Sequence, residues 1–427
     1  MNEPTESLSS PASALNRRQA FADTDLCVKC GLCLPHCPTY AKTLDENESP
    51  RGRLSLIQGW AAGQLDASPK LLRHLDNCLM CRACEAVCPA NVPYGSLMDR
   101  FRGETGERGK PLPTRIKSAA LRAFLQNPRT ARLADPARAL LRTTGLLRVL
   151  GFGDLGAEIP RAPAHAEWRG FHPAQGDETA RVGLFLGCTA ELADTETVTA
   201  AIRLLNRLGV GVSVPERQGC CGALALHAGD RAAASRMRSR NLDAFDPSQL
   251  DAIITLASGC GAMLSDYRLH DPSPEGRNFA DKLKDIGQFL SEFPWPENIR
   301  FKPLKAKACV HTPCTLKNVL KAERYPLELL RRMPELEVLA LAGDTRCCGA
   351  AGSYMVEHPE MASSLREDVL EQLRGNEPDY LLTSNVGCAL HLRAGLKRRG
   401  LSNVHVLHPV VLLEQQLADA CTSISAR

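Results

Sequence analysis

The sequence predicts a mixed protein of α/β and α+β class, with a helical N-terminal domain followed by two duplicated parallel α/β domains. Three observations support this prediction. Eight of the 18 cysteines lie in two short runs near the N-terminus, most of the others recur in two matched copies, and apolar runs alternate with helical periodicity inside each copy. The predicted boundaries are 18–100 for the helical domain, 101–180 for a basic helical segment and linker, and 181–300 and 305–415 for the two copies.

Composition excludes several classes of protein. The 427 residues are 44% hydrophobic and 23% charged, which is typical of a globular chain and argues against disorder. The net charge of +4 is too small to indicate nucleic-acid binding. No apolar run is long enough for a membrane span, and the polar N-terminus lacks a signal sequence, so we expect a cytoplasmic protein that is not secreted. Abundant cysteine in that setting indicates metal or redox chemistry rather than disulfides.

The two N-terminal cysteine runs share the spacing C-x2-C-x2-C-x3-C-P, which is the bacterial ferredoxin pattern. This spacing predicts two 4Fe–4S clusters, because the fourth cysteine of each run ligates the cluster of the other run. Structural zinc is a poor alternative, since it would leave the third cysteine of each run without a role. One predicted ligand set is Cys27, Cys30, Cys33 and Cys88, and the other is Cys37, Cys78, Cys81 and Cys84.

The C-terminal half contains an internal duplication. Each copy has a cysteine after an apolar run, a Cys-Cys-Gly tripeptide, and a last cysteine after a second apolar run. The first interval is 32 residues in one copy and 33 in the other, and the second is 39 and 40. Agreement within one residue indicates two copies of one domain. The copies contain, in order, Cys188, Cys220, Cys221 and Cys260, and Cys314, Cys347, Cys348 and Cys388.

Local patterns predict strands and helices between these landmarks. We expect helices over 195–208 and 316–333, the second with a break or kink at Pro326, and strands over 210–214 and 336–341. Strand–helix–strand units of this length indicate parallel sheets with helices on both faces. Cysteines at the carboxyl ends of such strands lie where open α/β sheets bind ligands.

The two sets of four cysteines in the copies have more than one interpretation. Gathered at one sheet edge, they would form two four-thiolate sites for a further iron–sulfur cluster or for thiol chemistry. Adjacent cysteines are also used as small buried residues or as reducible thiols. We interpret Cys309 and Cys421, which lie outside the repeated pattern, as incidental.

One glycine pattern imitates a nucleotide-binding motif. Residues 151–156 read Gly-Phe-Gly-Asp-Leu-Gly, but a helical pattern precedes them, and Pro160 and Pro163 exclude the phosphate-binding helix after them. Removal of hydride from a 2-hydroxy acid needs a flavin or nicotinamide. We therefore expect the substrate chemistry to be on another polypeptide.

The segment 100–148 is strongly basic, and its stretches 115–126 and 137–150 are amphipathic. Such a segment can bind an anionic membrane surface or an acidic partner, although a solvated basic face on packed helices is the ordinary interpretation. Residues 151–180, rich in Pro and Gly, predict a linker.

The order of these motifs resembles the glycolate oxidase iron–sulfur subunits over about residues 20–415. Further matches are Pro50-Arg51-Gly52-Arg53, Ala257-Ser258-Gly259-Cys260-Gly261 and Cys347-Cys348-Gly349-Ala350-Ala351-Gly352. The resemblance implies an electron-transfer subunit, inactive alone, that passes electrons to a quinone-type acceptor. The FAD would be on partner subunits that oxidise glycolate to glyoxylate, and the complex would lie in the cytoplasm or on the inner face of the inner membrane.

Related proteins share these modules and supply the alternatives. The chain is also similar to iron–sulfur subunits of anaerobic glycerol-3-phosphate dehydrogenase, and a D-lactate dehydrogenase subunit is a further alternative. A heterodisulfide-reductase-like thiol/disulfide subunit is less favoured. In that family the domain ends in C-x2-C and holds a noncubane cluster, whereas this chain has Met263 and His391 at the final position. A non-redox protein stabilised by zinc conflicts with the eight-cysteine ferredoxin pattern.

Overall fold

The computed structural model describes residues 11–107, 110–126, 168–341 and 347–418. Contacts divide the chain into two compact units, Met1–Ala119 with Leu224–Arg231, and Ala120–Ala223 with Ala232–Arg427. The predicted helix 137–150, the glycine pattern 151–156 and Cys421 lie outside the described residues.

The first unit is helical. Two of its helices begin at serine caps followed by proline: Ser49 Oγ accepts from Gly52 N at 2.9 Å, and Ser68 Oγ accepts from Leu71 N at 3.3 Å. The α-helices are α1 (Pro11–Ala20), α2 (Pro38–Thr43), α3 (Pro50–Ala61), α4 (Pro69–Asp76), α5 (Ala83–Ala86), α6 (Tyr94–Thr105) and the start of α7 (Leu112–Gln126), with 3₁₀ turns at Ala22–Leu26 and Glu46–Glu48.

The core of this unit forms around Trp60. Its ring packs edge-on against Phe21 and Phe101, with centroid distances of 5.4 and 4.9 Å. Helix α7 matches the amphipathic stretch predicted over 115–126. The segment Leu224–Arg231, which falls within the predicted first repeated domain, belongs instead to the first unit, where His227 Nδ1 lies 2.7 Å from Asp99 Oδ1.

The second unit contains both repeated copies, each with its own sheet. The first sheet has the strand order β1-β3-β2-β4-β5 and the second β7-β6-β8-β9. The four shared positions have the same order and are all parallel, which confirms the duplication. The strands are β1 (Gly170–His172), β2 (Ala180–Phe185), β3 (Val210–Val214), β4 (Ala252–Thr255), β5 (Leu283–Asp285), β6 (Ala306–Val310), β7 (Leu336–Ala340), β8 (Tyr380–Leu382) and β9 (His405–Leu407).

Strand β1 differs from the prediction in two respects. It lies in the segment 151–180 for which we predicted a linker, and it pairs antiparallel with β3, Gly170 opposite Val214. A three-residue edge strand with no fully buried residue leaves too short an alternating pattern to be recognised in the sequence.

The helices of the second unit flank these strands. They are α8 (Ala190–Ala193), α9 (Thr195–Arg207), α10 (Ala223–His227), most of which packs in the first unit, α11 (Arg231–Ala244), α12 (Ser258–Ser265), α13 (Tyr267–His270), α14 (Pro274–Asp281), α15 (Ile286–Glu292), α16 (Arg324–Leu330), α17 (Tyr354–Glu357), α18 (Pro359–Glu371), α19 (Val386–Arg398) and α20 (Pro409–Gln415), with a 3₁₀ turn at Pro247–Gln249. Helix α9 confirms the prediction over 195–208. None of the helices in the described ranges combines the length and hydropathy needed to cross a membrane.

The predicted helix 316–333 is interrupted, but not at Pro326. A π-helical turn covers Leu316–Leu320, Lys321 has left-handed backbone (φ 54°), and α16 then begins at Arg324. Pro326 is the third residue of α16, where its missing N–H removes no helical hydrogen bond. The prediction of a break at the proline was therefore wrong.

Hydrogen bonds connect the two copies beside their cysteines. Ser258 N donates to Ser384 O at 3.1 Å, and Ser258 Oγ accepts from Thr315 Oγ1 at 2.9 Å and from Asn385 Nδ2 at 3.1 Å. The loops and helix starts that carry Cys260, Cys314 and Cys388 are consequently neighbours.

The equivalent glycines of the two Cys-Cys-Gly tripeptides allow a matched test of the fold. Both have left-handed backbone, with φ 94° at Gly222 and 83° at Gly349. A Cβ on Gly349 would lie 2.3 Å from Ala362 O, whereas on Gly222 it would lie 3.3 Å from Ala234 O.

We expect Gly222→Ala to lose roughly 1–2 kcal/mol of unfolding free energy because of the backbone conformation. Gly349→Ala should lose more, since its Cβ also overlaps a carbonyl oxygen. Urea unfolding of both variants measures the difference, and equal losses would contradict the geometry of the second copy.

Candidate metal centres

Four cysteines from both N-terminal runs surround one pocket. Cys27, Cys30 and Cys33 of the first run and Cys88 of the second line a pocket that is partly open to solvent, with Cys84 also at its wall. Cys30 is exposed. The structure thus brings together the first predicted set, including the fourth cysteine supplied by the other run, and four thiols around one space suit a cubane cluster.

The two runs have the same backbone conformation. Left-handed residues occur at equivalent places, Lys29 and Gly31 in the first run (φ 57° and 85°) and Met80 and Arg82 in the second (φ 54° and 56°). Only one of these residues is glycine, and a left-handed side-chain-bearing residue costs about 1–2 kcal/mol. Both loops therefore share the same two left-handed positions, and three of these four positions are strained.

The second predicted set, with Cys37, Cys78, Cys81 and Cys84, is more deeply buried. Burial is the main cause that raises the pKa of Cys84 well above its ordinary value, and the neighbouring Cys81, Cys78 and Cys37 raise it further. Cys33 of the first set contributes to the same repulsion, so the thiols of both runs are close together. A positively charged iron centre reverses it, because metal-bound cysteine is deprotonated.

A buried arginine lies beside this second set. Arg53 is 1% exposed, and its Nη1 lies 3.9 Å from Cys37 Sγ. The rest of the guanidinium is held by Glu48 Oε2 at 2.5 Å, Thr39 Oγ1 at 3.1 Å and His74 O at 2.8 Å. Burial opposes the charge of Arg53, but nearby tyrosine, thiol and carboxylate groups outweigh it and keep the pKa above its ordinary value. The cation is therefore retained and fixed in direction.

A tyrosine hydroxyl also lies beside a sulfur of this second set. Tyr94 Oη donates toward Cys78 Sγ at 3.6 Å, and the ring is 4% exposed. Burial raises the pKa of Tyr94, so the hydroxyl keeps its proton. Sequence reasoning did not assign either neighbour a role: Arg53 appeared only within a matched motif, and nothing in the sequence marked Tyr94.

The four cysteines of the first Cys-Cys-Gly copy form a connected set. Hydrogen bonds from Cys188 and Cys221 hold the pKa of Cys220 well below its ordinary value, and Gly222 N also donates to Cys220 Sγ at 3.5 Å. Contacts with Cys220 and with Cys260 raise the pKa of Cys221. These hydrogen bonds favour the ionised form of Cys220, which is the form that binds metal or acts as a nucleophile.

The second copy repeats this arrangement. Cys314 Sγ lies 3.9 Å from Cys347 Sγ, and Cys348 Sγ lies 3.0 Å from Cys388 Sγ. The pKa of Cys347 is held well below its ordinary value, first by the hydrogen bond from Cys314 and then by that from Cys348. Both copies thus gather the cysteines that the repeat predicted and place the thiolate at the same position.

Comparison with known proteins agrees with this architecture. Residues 23–92 match the model of the 4Fe-4S dicluster domain, and residues 182–265 and 308–393 match the cysteine-rich domain. The chain is 31% identical to the probable glycolate oxidase iron-sulfur subunit of Bacillus subtilis, over 91% of this chain and 92% of that protein. It is also 31% identical to the glycolate oxidase iron-sulfur subunit of Escherichia coli, over 94% and 97%.

The chain belongs to the family of glycolate oxidase iron–sulfur subunits. A more distant relative is a fumarate reductase (CoM/CoB) subunit of Methanothermobacter marburgensis, 26% identical over 92% of this chain and 72% of that protein. The predicted resemblance, fold class and iron–sulfur character are confirmed.

The side chains that surround the two Cys-Cys-Gly sets differ between the two copies. In the first copy, Asn241 Nδ2 donates to Cys220 O at 2.9 Å and to Tyr267 Oη at 3.0 Å, and Tyr267 Oη donates to Cys221 O at 2.8 Å. These bonds fix the backbone of the cysteine pair.

In the second copy, a histidine lies beside the thiolate. His311 occupies the position that Phe185 has in the first copy, and its Nδ1 lies 3.0 Å from Thr383 Oγ1. Burial lowers the pKa of His311 to about 4, so the ring is neutral at physiological pH. The duplicated sites share their thiols but not their neighbours.

Met263 and His391, which stand where a final cysteine is absent, are both buried. His391 Nε2 lies 3.1 Å from Ala362 O, so that nitrogen is engaged by the backbone. None of the 17 cysteines in the described residues forms a disulfide, and Cys309 lies on β6 outside both sets.

Proposed function

We propose that this chain carries electrons from a flavoprotein partner that oxidises glycolate to glyoxylate and passes them to a quinone-type acceptor. The observation that carries the proposal is that the fourth cysteine of each N-terminal run lies near the thiols of the other run. Cys88 completes the set that begins at Cys27, and Cys37 lies with the thiols of the second run. Similarity over nearly the whole chain to glycolate oxidase iron–sulfur subunits supports glycolate as the substrate of the complex.

The eight cysteines are proposed to bind two 4Fe–4S clusters. The first is assigned to Cys27, Cys30, Cys33 and Cys88 and the second to Cys37, Cys78, Cys81 and Cys84. When bound, each cluster accepts or releases one electron. The chain itself supplies thiolate charge, excludes water from the more buried second set, and donates hydrogen bonds to its sulfurs, all of which influence the potential.

Oxidation of a 2-hydroxy acid removes a hydride or its equivalent, which requires a two-electron cofactor. We therefore propose that FAD is bound by the partner subunits and that this chain is inactive alone. The two relatives that are 31% identical over nearly the whole chain are glycolate oxidase subunits, which favours glycolate over D-lactate or glycerol 3-phosphate. We further propose a cytoplasmic complex that lies on the inner face of the inner membrane, supported by the basic composition of segment 100–148.

We propose that each Cys-Cys-Gly set also holds a metal centre, because each gathers four cysteines and its hydrogen bonds favour the ionised form of Cys220 or Cys347. One observation favours a second candidate, dithiol chemistry. Cys348 and Cys388 lie 3.0 Å apart at sulfur, close enough to react with each other after small rotations. Metal analysis distinguishes the two.

Substitution of one ligand tests the electron-transfer role. Anaerobically purified protein should contain about eight irons from the two ferredoxin-type clusters, and Cys81→Ala should lose about four of them. We expect the complex with Cys81→Ala to lose glycolate-dependent dye reduction, while glycolate still bleaches the partner flavin. Cys309→Ser, a buried cysteine outside all four sets, is the control and should behave as wild type. Full iron and full activity in Cys81→Ala would refute the assignment.

A second measurement tests the Cys-Cys-Gly sets. Wild type should contain metal in excess of about eight irons, and Cys220→Ser/Cys347→Ser should lose only that excess, since the thiolate of each set is removed. Cys309→Ser should retain it. If wild type contains no excess metal, and mild oxidation removes two free thiols per copy that reductant restores, dithiol chemistry replaces the metal proposal.

A further inference from the structure

We propose that Arg53 and Tyr94 raise the reduction potential of the cluster assigned to Cys37, Cys78, Cys81 and Cys84, and leave the other cluster's potential unchanged. This inference rests on the proposed ligand assignment. The two residues would act as positioning residues, through the sulfurs, and neither is assigned as an iron ligand.

The orientation of Arg53 is determined by its other partners. Its Nε donates to His74 O, and its Nη2 donates to Glu48 Oε2 and to Thr39 Oγ1. Only Nη1 is left toward the sulfurs, where it lies 3.9 Å from Cys37 Sγ. The side chains of Arg53 and Glu48 are 1% and 8% exposed. A cation fixed by so many bonds cannot turn away when the charge beside it changes.

Tyr94 approaches a sulfur from the other cysteine run. It is the first residue of α6, and its hydroxyl lies 3.6 Å from Cys78 Sγ. Arg53 therefore lies beside a cysteine of the first run, and Tyr94 lies beside a cysteine of the second run. Both cysteines are assigned to the same cluster. Because both polar groups lie beside sulfurs of one proposed cluster, the pair differs from ordinary buried polar residues.

The direction of the effect follows from charge. A reduced cluster carries one more negative charge than an oxidised one, so a nearby cation and hydrogen-bond donors stabilise the reduced state. Burial keeps this interaction unscreened. Glu48 offsets part of the charge of Arg53, but it binds Nη2 rather than the Nη1 that faces the sulfur.

Tyr94 also lines the pocket of the first set, but the hydrogen bond of its hydroxyl goes to Cys78 of the second set. Arg53 is the only buried arginine in the described part of the first unit. Arg51, which lines the pocket of the first set, is 31% exposed, pairs with the 49% exposed Glu46, and donates from Nη1 to Lys29 O. Solvent screens an ion pair of this kind. The effect of the buried pair is therefore expected to be selective.

The test is a potentiometric titration of the anaerobically purified full chain, monitored by electron paramagnetic resonance. Tyr94→Phe removes one oxygen atom and should lower the midpoint potential of one cluster. Loss of one hydrogen bond lowers the equilibrium constant for reduction of that cluster by up to about tenfold, which corresponds to about 59 mV for one electron. Cys81→Ala, which lacks that cluster's signal, identifies which of the two has shifted. Tyr40→Phe, a partly exposed tyrosine of the same unit, should shift neither.

A second variant removes the charge without leaving a buried carboxylate alone. Glu48→Gln/Arg53→Gln should lower the same midpoint further than Tyr94→Phe does, whereas Glu48→Gln alone should raise it, because the arginine charge is then uncompensated. Unchanged potentials in Tyr94→Phe and in the double variant, or a shift in the other cluster, would overturn the inference.

Iron content separates this inference from the proposed function. Wild type without iron would refute the ligand assignment itself. Wild type with about eight irons and variant potentials equal to its own would refute only the role of Arg53 and Tyr94. Loss of iron in Tyr94→Phe would also refute that role, since the hydroxyl would then be needed for assembly.

Discussion

The concentration of thiolate charge in small volumes is the constraint on which the rest of this structure depends. Four cysteines gathered at one point repel one another as they ionise, and burial makes the repulsion stronger. The second ferredoxin-type set shows both effects in the raised pKa of Cys84. Only a positive centre makes such a set favourable, and the protein supplies part of that charge itself through Arg53. The buried Glu48 then keeps Arg53 in place.

The Cys-Cys-Gly copies meet the same constraint differently. Neither set has an arginine comparable to Arg53 in its described contacts, and hydrogen bonds favour ionisation at one sulfur, Cys220 or Cys347. The flanking thiols donate to that sulfur, and the glycine that ends the tripeptide adds a backbone N–H. The left-handed backbone at Gly222 and Gly349 is what allows the chain to turn and present that N–H. The tripeptide is thus explained by the electrostatics of its first cysteine.

Much of the fold and of the candidate sites could be predicted from the sequence, because the spacing of the cysteines reflects the geometry of the group that they bind. The fold class, the duplication, and the grouping of Cys27 with Cys88 all follow from intervals along the chain. The neighbours of those sulfurs were not predictable. Tyr94 begins a helix and carries no pattern that separates it from a core tyrosine, and the direction of Arg53 depends on Glu48, Thr39 and a carbonyl oxygen brought together only by folding. The prediction of a break at Pro326 was wrong for a related reason, since the effect of proline depends on its position within the helix.

The differences between the two copies bear on their roles. The two copies keep the same arrangement of cysteines but surround it with different side chains. Here, Asn241 and Tyr267 fix the cysteine backbone of the first copy, whereas the second places the neutral ring of His311 beside Cys347. An uncharged imidazole adds a polar neighbour without adding charge, and its bond to Thr383 fixes its orientation. The two sites therefore present their thiolates to different surroundings, and equal metal affinity or equal potential is not expected of them.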